Sequence, residues 1–317
     1  MTATATVTAA RATDTTSQAT AARDRCRGCL LGLAVGDALG ATVEFQPRHS
    51  FPPLTDMVGG GIFALAPGQW TDDTSMALCL AASLVACRGF DAADQMRRYW
   101  AWYQDGYFSS TGRCFDIGNA TRQALHRYHT TGDPFSGSTD PYSAGNGSLM
   151  RLAPVPIFYF ADPTAMLHYA AESSRTTHAA AECLDACRLF AAILWRALAG
   201  QEKEQVLFGG DPTLVAAPAI QAIARGAYRA KAEAEIQGSG YVVKSLEAAL
   251  WCFLNTDSFA AAVLAAANLG DDADTTAAIC GQVAGAYYGA AAIPPRWLGL
   301  LARRETIAAL ADELLRG

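Results

Sequence analysis

Basic charge is in short supply. The chain sets 24 Lys+Arg against 30 Asp+Glu, for a net charge of -6. It has neither a basic run nor a basic helix face, which argues against a nucleic-acid backbone as the main partner. A run of about 18 uninterrupted apolar residues is also missing, so no membrane span is expected. Cys26 and Cys29 form a C-x-x-C with no second Cys/His pair at metal spacing, and it reads as two thiols on an early helix rather than half a zinc site or a redox pair. The nine cysteines are an odd count scattered through apolar segments. That is the pattern of reduced, mostly buried thiols, and it points to the cytoplasm. Strand signals are scarce: PVPIFYF (154–160) is the best of them, and its prolines demote it.

What is present is helical. At 317 residues the chain is long enough to bury a substantial core without staples. Residues 1–22 (MTATATVTAARATDTTSQATAA) lack an apolar stretch and a helical period. They are expected to form a disordered arm, neither signal peptide nor fold, with a partner-binding role left open. No Pro/Ser/Gly linker divides the rest, so residues 24–317 read as one domain. Apolar residues recur every three or four positions over 72–88, 91–104, 117–130, 177–200, 212–230, 241–254, 257–268 and 273–290, which predicts a compact all-α domain. Two of the helices carry glycine at every fourth position: Gly28, Gly32, Gly36 and Gly40, then Gly281, Gly285 and Gly289. Each glycine costs about 1 kcal/mol of helix propensity relative to Ala, and the compensation expected is a bare ridge that lets another helix come close.

Two acidic knots share one grammar. TDDT (71–74) and GDDADTT (270–276) each place aspartates and threonine at the head of an Ala-rich helix. Singly, each could be N-terminal helix charge and capping. Together they offer carboxylates and hydroxyls without Cys or His, the all-oxygen preference of a hard cation such as Mg²⁺ or Mn²⁺. A knot from each of two packed helices could hold a pair of such ions about 3.5 to 4 Å apart.

In chain order, GDxxGxxxEF (36–45), TDDT (71–74), FDIGN (115–119), GNGSLMR (145–151) and GDDADTT (270–276) resemble the ADP-ribosylglycohydrolase family. The likeness runs from Arg27 to about Tyr288, and FDIGN draws it toward the bacterial dinitrogenase reductase-activating glycohydrolases and ADP-ribosyl-arginine hydrolases. The resemblance implies an orthogonal all-α bundle with two divalent cations that cleaves ADP-ribose from its acceptor. It implies Thr71, Asp72, Asp73, Asp272, Asp274 and Thr275 as metal ligands, with Asp271 left as helix N-terminal charge. Asp116 would act on the ribose as the catalytic carboxylate and Glu44 as a base or gate. Gly118 and Asn119 would orient the substrate, Ser143, Gly145, Asn146 and Gly147 would cradle the pyrophosphate, and His178 would lie on the adenine side. Arg151 is open between a phosphate and a core-edge carboxylate. The partner implied is an ADP-ribosylated protein, most simply arginine-linked. Serine O-glycosides, polymers or small-molecule and nucleic-acid conjugates are the alternatives, as is a non-catalytic protein on the same fold.

Overall fold

The computed structural model describes residues 3–316, with side chains from residue 19 onward. Among them fourteen α-helices follow in order: α1 Ala3–Gly40, α2 Asp72–Cys87, α3 Ala92–Asp105, α4 Asn119–Thr131, α5 Pro154–Phe158, α6 Pro163–Arg175, α7 Ala181–Leu198, α8 Lys203–Phe208, α9 Pro218–Ala224, α10 Val242–Leu254, α11 Phe259–Ala267, α12 Ala273–Tyr288, α13 Pro295–Leu300 and α14 Arg304–Leu314. Extended pairing is limited to isolated bridges. The all-α expectation holds.

Two local expectations change. PVPIFYF contains the short helix α5, because Pro154 supplies a favourable first-turn residue and Val155 and Ile157 are buried in the core. The 212–230 segment is broken: Pro212 and Pro218 each restart the chain, and Gly226 at φ +78 ends α9 in a turn. The backbone from Ala3 is helical and continuous with α1, in keeping with the high helix propensity of alanine. Residues 1–2 and the side chains of 1–18 lie outside the described residues.

The glycine ridges meet. A methyl on Gly28 would overlap the Gly285 carbonyl oxygen, one on Gly32 that of Gly281, one on Gly36 that of Ala277 and one on Gly40 that of Ala273. Helices α1 and α12 therefore touch backbone to backbone along four turns, a separation that any side chain would prevent. Leu33, Val35, Ile279, Cys280 and Val283 flank this seam in one continuous core with Phe190, Phe253 and Phe259. Because the seam ends at Gly40 beside Ala273, it brings the end of α1 against the head of α12.

Candidate active site

Both acidic knots open helices that converge on one cavity of about 690 Å³. Thr71 is the N-cap residue of α2, and Asp72 and Asp73 fill its first turn; Asp272 is the N-cap residue of α12, and Asp274 lies in its first turn. Two helix N-termini thus direct their partial positive charge at a shared group of carboxylates.

Thr71 does not cap its own helix. The donors at the head of α2 are taken by Asp37, which projects from the glycine-ridged α1. Its Oδ1 accepts from Thr71 N (2.8 Å) and Thr71 Oγ1 (2.9 Å), and its Oδ2 from Thr74 N (3.0 Å) and Thr74 Oγ1 (2.6 Å). Asp37 lies within GDxxGxxxEF, a motif that by itself assigns it no role. The signal was a carboxylate on the same helix as the ridge that packs on α12. With both oxygens engaged twice, Asp37 holds the first knot in place.

The remaining carboxylates are arranged differently. Oxygens of Glu44, Asp116 and Asp274 lie within 4.8 Å of one another, and Asp274 also belongs to a second grouping with Asp73 and Asp37. Asp73 Oδ1, Asp274 Oδ1 and Glu44 Oε2 are buried with no hydrogen-bond partner among the described residues. Buried carboxylate oxygens left this way are costly, and a divalent cation is the group that an all-oxygen set of this kind accommodates. The cluster can therefore hold metal ions.

Its electrostatics agree. Burial, then repulsion from Asp116, Asp272, Asp73 and Asp37, pushes the Glu44 carboxyl up to about 10. Burial, then Asp37 and Asp272, raises Asp116 to about 7. Asp72, Asp73 and Asp274 are driven well above the ordinary carboxylate range by burial first and by their charged neighbours second. Protons here take the place of compensating positive charge.

Other loops complete the cavity. The Glu44 loop is clamped to the second knot by Phe45 N donating to Asp271 O (2.7 Å) and Asp271 N donating to Gln46 O (2.8 Å). Phe45 (φ 61) and Asp271 (φ 54) both adopt left-handed backbone to make that clamp. Asp271 thus serves as a loop anchor, beyond the helix charge assigned to it. The Asp116 loop is tied to the first knot by Ser110 Oγ, which donates to Trp70 O at 2.6 Å. Asp116 itself is left-handed (φ 58), and α4 has Gly118, not Asp116, as its N-cap residue.

Gly118, Asn119, Gly145, Asn146, Gly147 and His178 all line the cavity, as do Asp72, Asp272, Thr275 and the unforeseen Ser239 and Gly240. Asn146, expected on the substrate, donates from Nδ2 to Asp272 Oδ2 at 2.6 Å and so bridges the GNG loop to the second knot. The amides of Gly145 and Asn146 are spent on Ser143 O and Gly240 O. Those of Gly147 and Ser148 have no protein acceptor among the described residues. His178 packs under the loop, close enough that a methyl on Gly147 would collide with its Cε1. Ser143 is displaced from the expected set: it lines an adjoining hollow with Tyr142, Glu182 and Tyr241, and its Oγ donates to Asp140 O. Arg151 meets neither a phosphate nor a carboxylate, being 1 % exposed in the core with its guanidinium over the Tyr99 ring.

An all-α scaffold that aims two aspartate-headed helices into one acidic cavity defines a centre able to hold divalent cations. The chain belongs to the ADP-ribosylglycohydrolase family, whose model matches residues 18–317. It is 48 % identical to the ADP-ribosylarginine hydrolase Tri1 of Pseudomonas putida over 92 % of this chain and 78 % of that one. It is 33 % identical to the ADP-ribosyl-[dinitrogen reductase] glycohydrolase of Rhodospirillum rubrum over 88 % and 90 %. A solved structure, described as an ADP-ribosylglycohydrolase-related protein complex, superposes with a TM-score of 0.84 at 47 % identity, covering 93 % of this chain and 98 % of the other.

Proposed function

We propose that this protein hydrolyses the N-glycosidic bond between ADP-ribose and an arginine side chain of a modified protein, reversing mono-ADP-ribosylation. The observation that carries the reading is the set of unpaired buried oxygens on Glu44 and Asp274, which line the cavity, and on Asp73 behind them, with the free amide of Gly147 at the cavity wall. Two divalent cations, Mg²⁺ or Mn²⁺, held by Thr71, Asp72, Asp73, Asp272, Asp274 and Thr275, would supply ribose orientation, an activated water and charge stabilisation. Asn146 holds Asp272 and Asp37 holds Thr71, so the ligand set is organised before substrate arrives. Gly147 offers its N–H group to the pyrophosphate without any basic side chain. Asp116 would exchange a proton beside the ribose, and Glu44, with an oxygen within 4.8 Å of one of its own, stands on the same side of the cavity. The nine free cysteines support a cytoplasmic setting, and no helix among the described residues is long and apolar enough to cross a membrane.

The test is a release assay on arginine-linked, serine-linked and polymeric ADP-ribose, with and without chelator. Chelator-sensitive release fastest from arginine is expected. Faster release from serine overturns the linkage, and full activity in excess chelator overturns the metal chemistry.

A further inference from the structure

Behind the GNG loop lies a buried chain of three polar side chains. Arg151 Nη2 is 2.8 Å from Thr177 Oγ1, and the same oxygen is 2.8 Å from His178 Nδ1. A guanidinium only donates, so Thr177 Oγ1 accepts from Arg151 and has one proton of its own to place. His178 Nδ1 is the acceptor within reach. Were Nδ1 the protonated nitrogen, the hydroxyl would face two donors and its own proton would have no acceptor among the described residues. Thr177 is 0 % exposed, where such a loss is costly. The arrangement satisfies every group only when Nδ1 is bare and Nε2 carries the hydrogen.

Arg151 is held too firmly to swing away. It lies over the Tyr99 ring with its carbon 4.6 Å from the centroid, and the second hydrogen of Nη2 is shared between Ser173 O and Thr176 Oγ1, each at 3.3 Å. No carboxylate pairs with it among the described residues, so its charge also opposes a second cation on the imidazole. Burial first and Arg151 second push His178 down to about 3. The other edge of the ring lies against Gly145 and Gly147 in the cavity wall, and Nε2 has no protein partner among the described residues.

We propose that Arg151, acting through Thr177, is a positioning residue that fixes His178 as the neutral Nε2–H tautomer, giving the cavity an uncharged donor of set direction for an acceptor oxygen of its ligand. Only the identity of that ligand, ADP-ribose, rests on the proposed function. The chain of donors and acceptors stands without it.

Long-range proton–nitrogen correlation spectra of the full chain carrying labelled histidine read the tautomer directly, since protonated and bare ring nitrogens resonate far apart. The expected spectrum has His178 with bare Nδ1 and protonated Nε2 from about pH 5 to about pH 8, where an unperturbed imidazole titrates, and Thr177→Ser retains it. Thr177→Val is expected to give a mixed or exchanging pattern and about three- to ten-fold weaker ADP-ribose binding. Arg151→Met is expected to loosen the tautomer likewise; if that variant does not fold, the Thr177 pair decides. A protonated Nδ1 or an imidazolium in the unaltered protein, or an unchanged tautomer in Thr177→Val, overturns the proposal. The spectrum requires no turnover, so its outcome is separate from that of the linkage assay.

Discussion

Asp116 has a left-handed backbone and lies outside α4, whose N-cap residue is Gly118. A capping role is therefore closed to it, and asparagine, which also tolerates that backbone, is a clean probe. Asp116→Asn is expected to lower kcat by roughly a hundred- to ten-thousand-fold while ADP-ribose binding changes little, because an amide cannot take up a proton. Measuring Mn²⁺ affinity of the same variant separates two roles, since an Asp116 oxygen also lies within 4.8 Å of oxygens of Glu44 and Asp274. Unchanged affinity supports proton transfer, and a large loss makes Asp116 a ligand instead. Asp37 is the complementary case. It was visible in the sequence but unassigned, because its partners Thr71 and Thr74 are 34 and 37 residues away, and no local pattern reports that a carboxylate on one helix caps another. Asp37→Asn turns one acceptor oxygen into a donor facing two donors, so it is expected to weaken Mn²⁺ binding by about ten- to a hundred-fold. Titration calorimetry measures this, and unaltered affinity would reduce Asp37 to a purely structural cap.

At the level of elements, periodicity located most of the helices, and the regular spacing of glycine announced that two of them approach closely. It did not say that the two ridges face each other, which became evident only once Gly28 and Gly32 were seen against Gly285 and Gly281. The 212–230 segment shows the converse: its apolar residues are buried, as at Ile220 and Ile223, yet prolines and Gly226 break the helix that their spacing implied. The seam makes a paired prediction. Gly281→Ala puts a methyl into the Gly32 carbonyl, and the helix propensity gained, about 1 kcal/mol, is outweighed by overpacking of about 1 to 3 kcal/mol or more against rigid backbone. Gly299→Ala in α13 meets nothing within 4 Å, so it is expected to be neutral or to stabilise by up to about 1 kcal/mol. Thermal melts of the two variants check this. Because α1 and α12 carry Asp37 and the second knot, Gly281→Ala is also expected to weaken metal binding, whereas Gly299→Ala is not.

Across the whole molecule, the chain joins its first and last helices as well as its two knots. Asp312 of α14 accepts from Arg27 of α1 at 2.8 and 2.6 Å and also pairs with Arg23, so the α1 that delivers Asp37 to the site is braced upstream of it. Tertiary placement of this kind, like the arrival of Ser239 and Gly240 at the cavity, joins residues too distant in sequence for a motif to show. The acidic cluster is where the assembled fold most alters its own residues, and its response to pH and metal follows. Without cations, burial holds Asp116 near 7, against about 4 for an aspartate in an unfolded chain. Between those values the folded state binds the extra proton, so this contribution to stability is fully present below about pH 4 and is lost as pH rises through about 7. His178 runs the other way: held down near 3, it costs stability as pH falls below about 6.5, where the unfolded imidazole becomes charged. A divalent cation displaces the cluster's protons, so its affinity rises with pH and its binding releases acid. His178 contributes alike with and without metal, so the difference between the two states isolates the cluster. The gap between Tm in saturating Mn²⁺ and Tm in chelator is therefore expected to widen steadily from about pH 5 to about pH 8, as the stabilisation by a folded-state ligand grows with its affinity. Melting curves at matched ionic strength measure that gap; if it stays constant across the range, the carboxylates are not the groups that hold the metal.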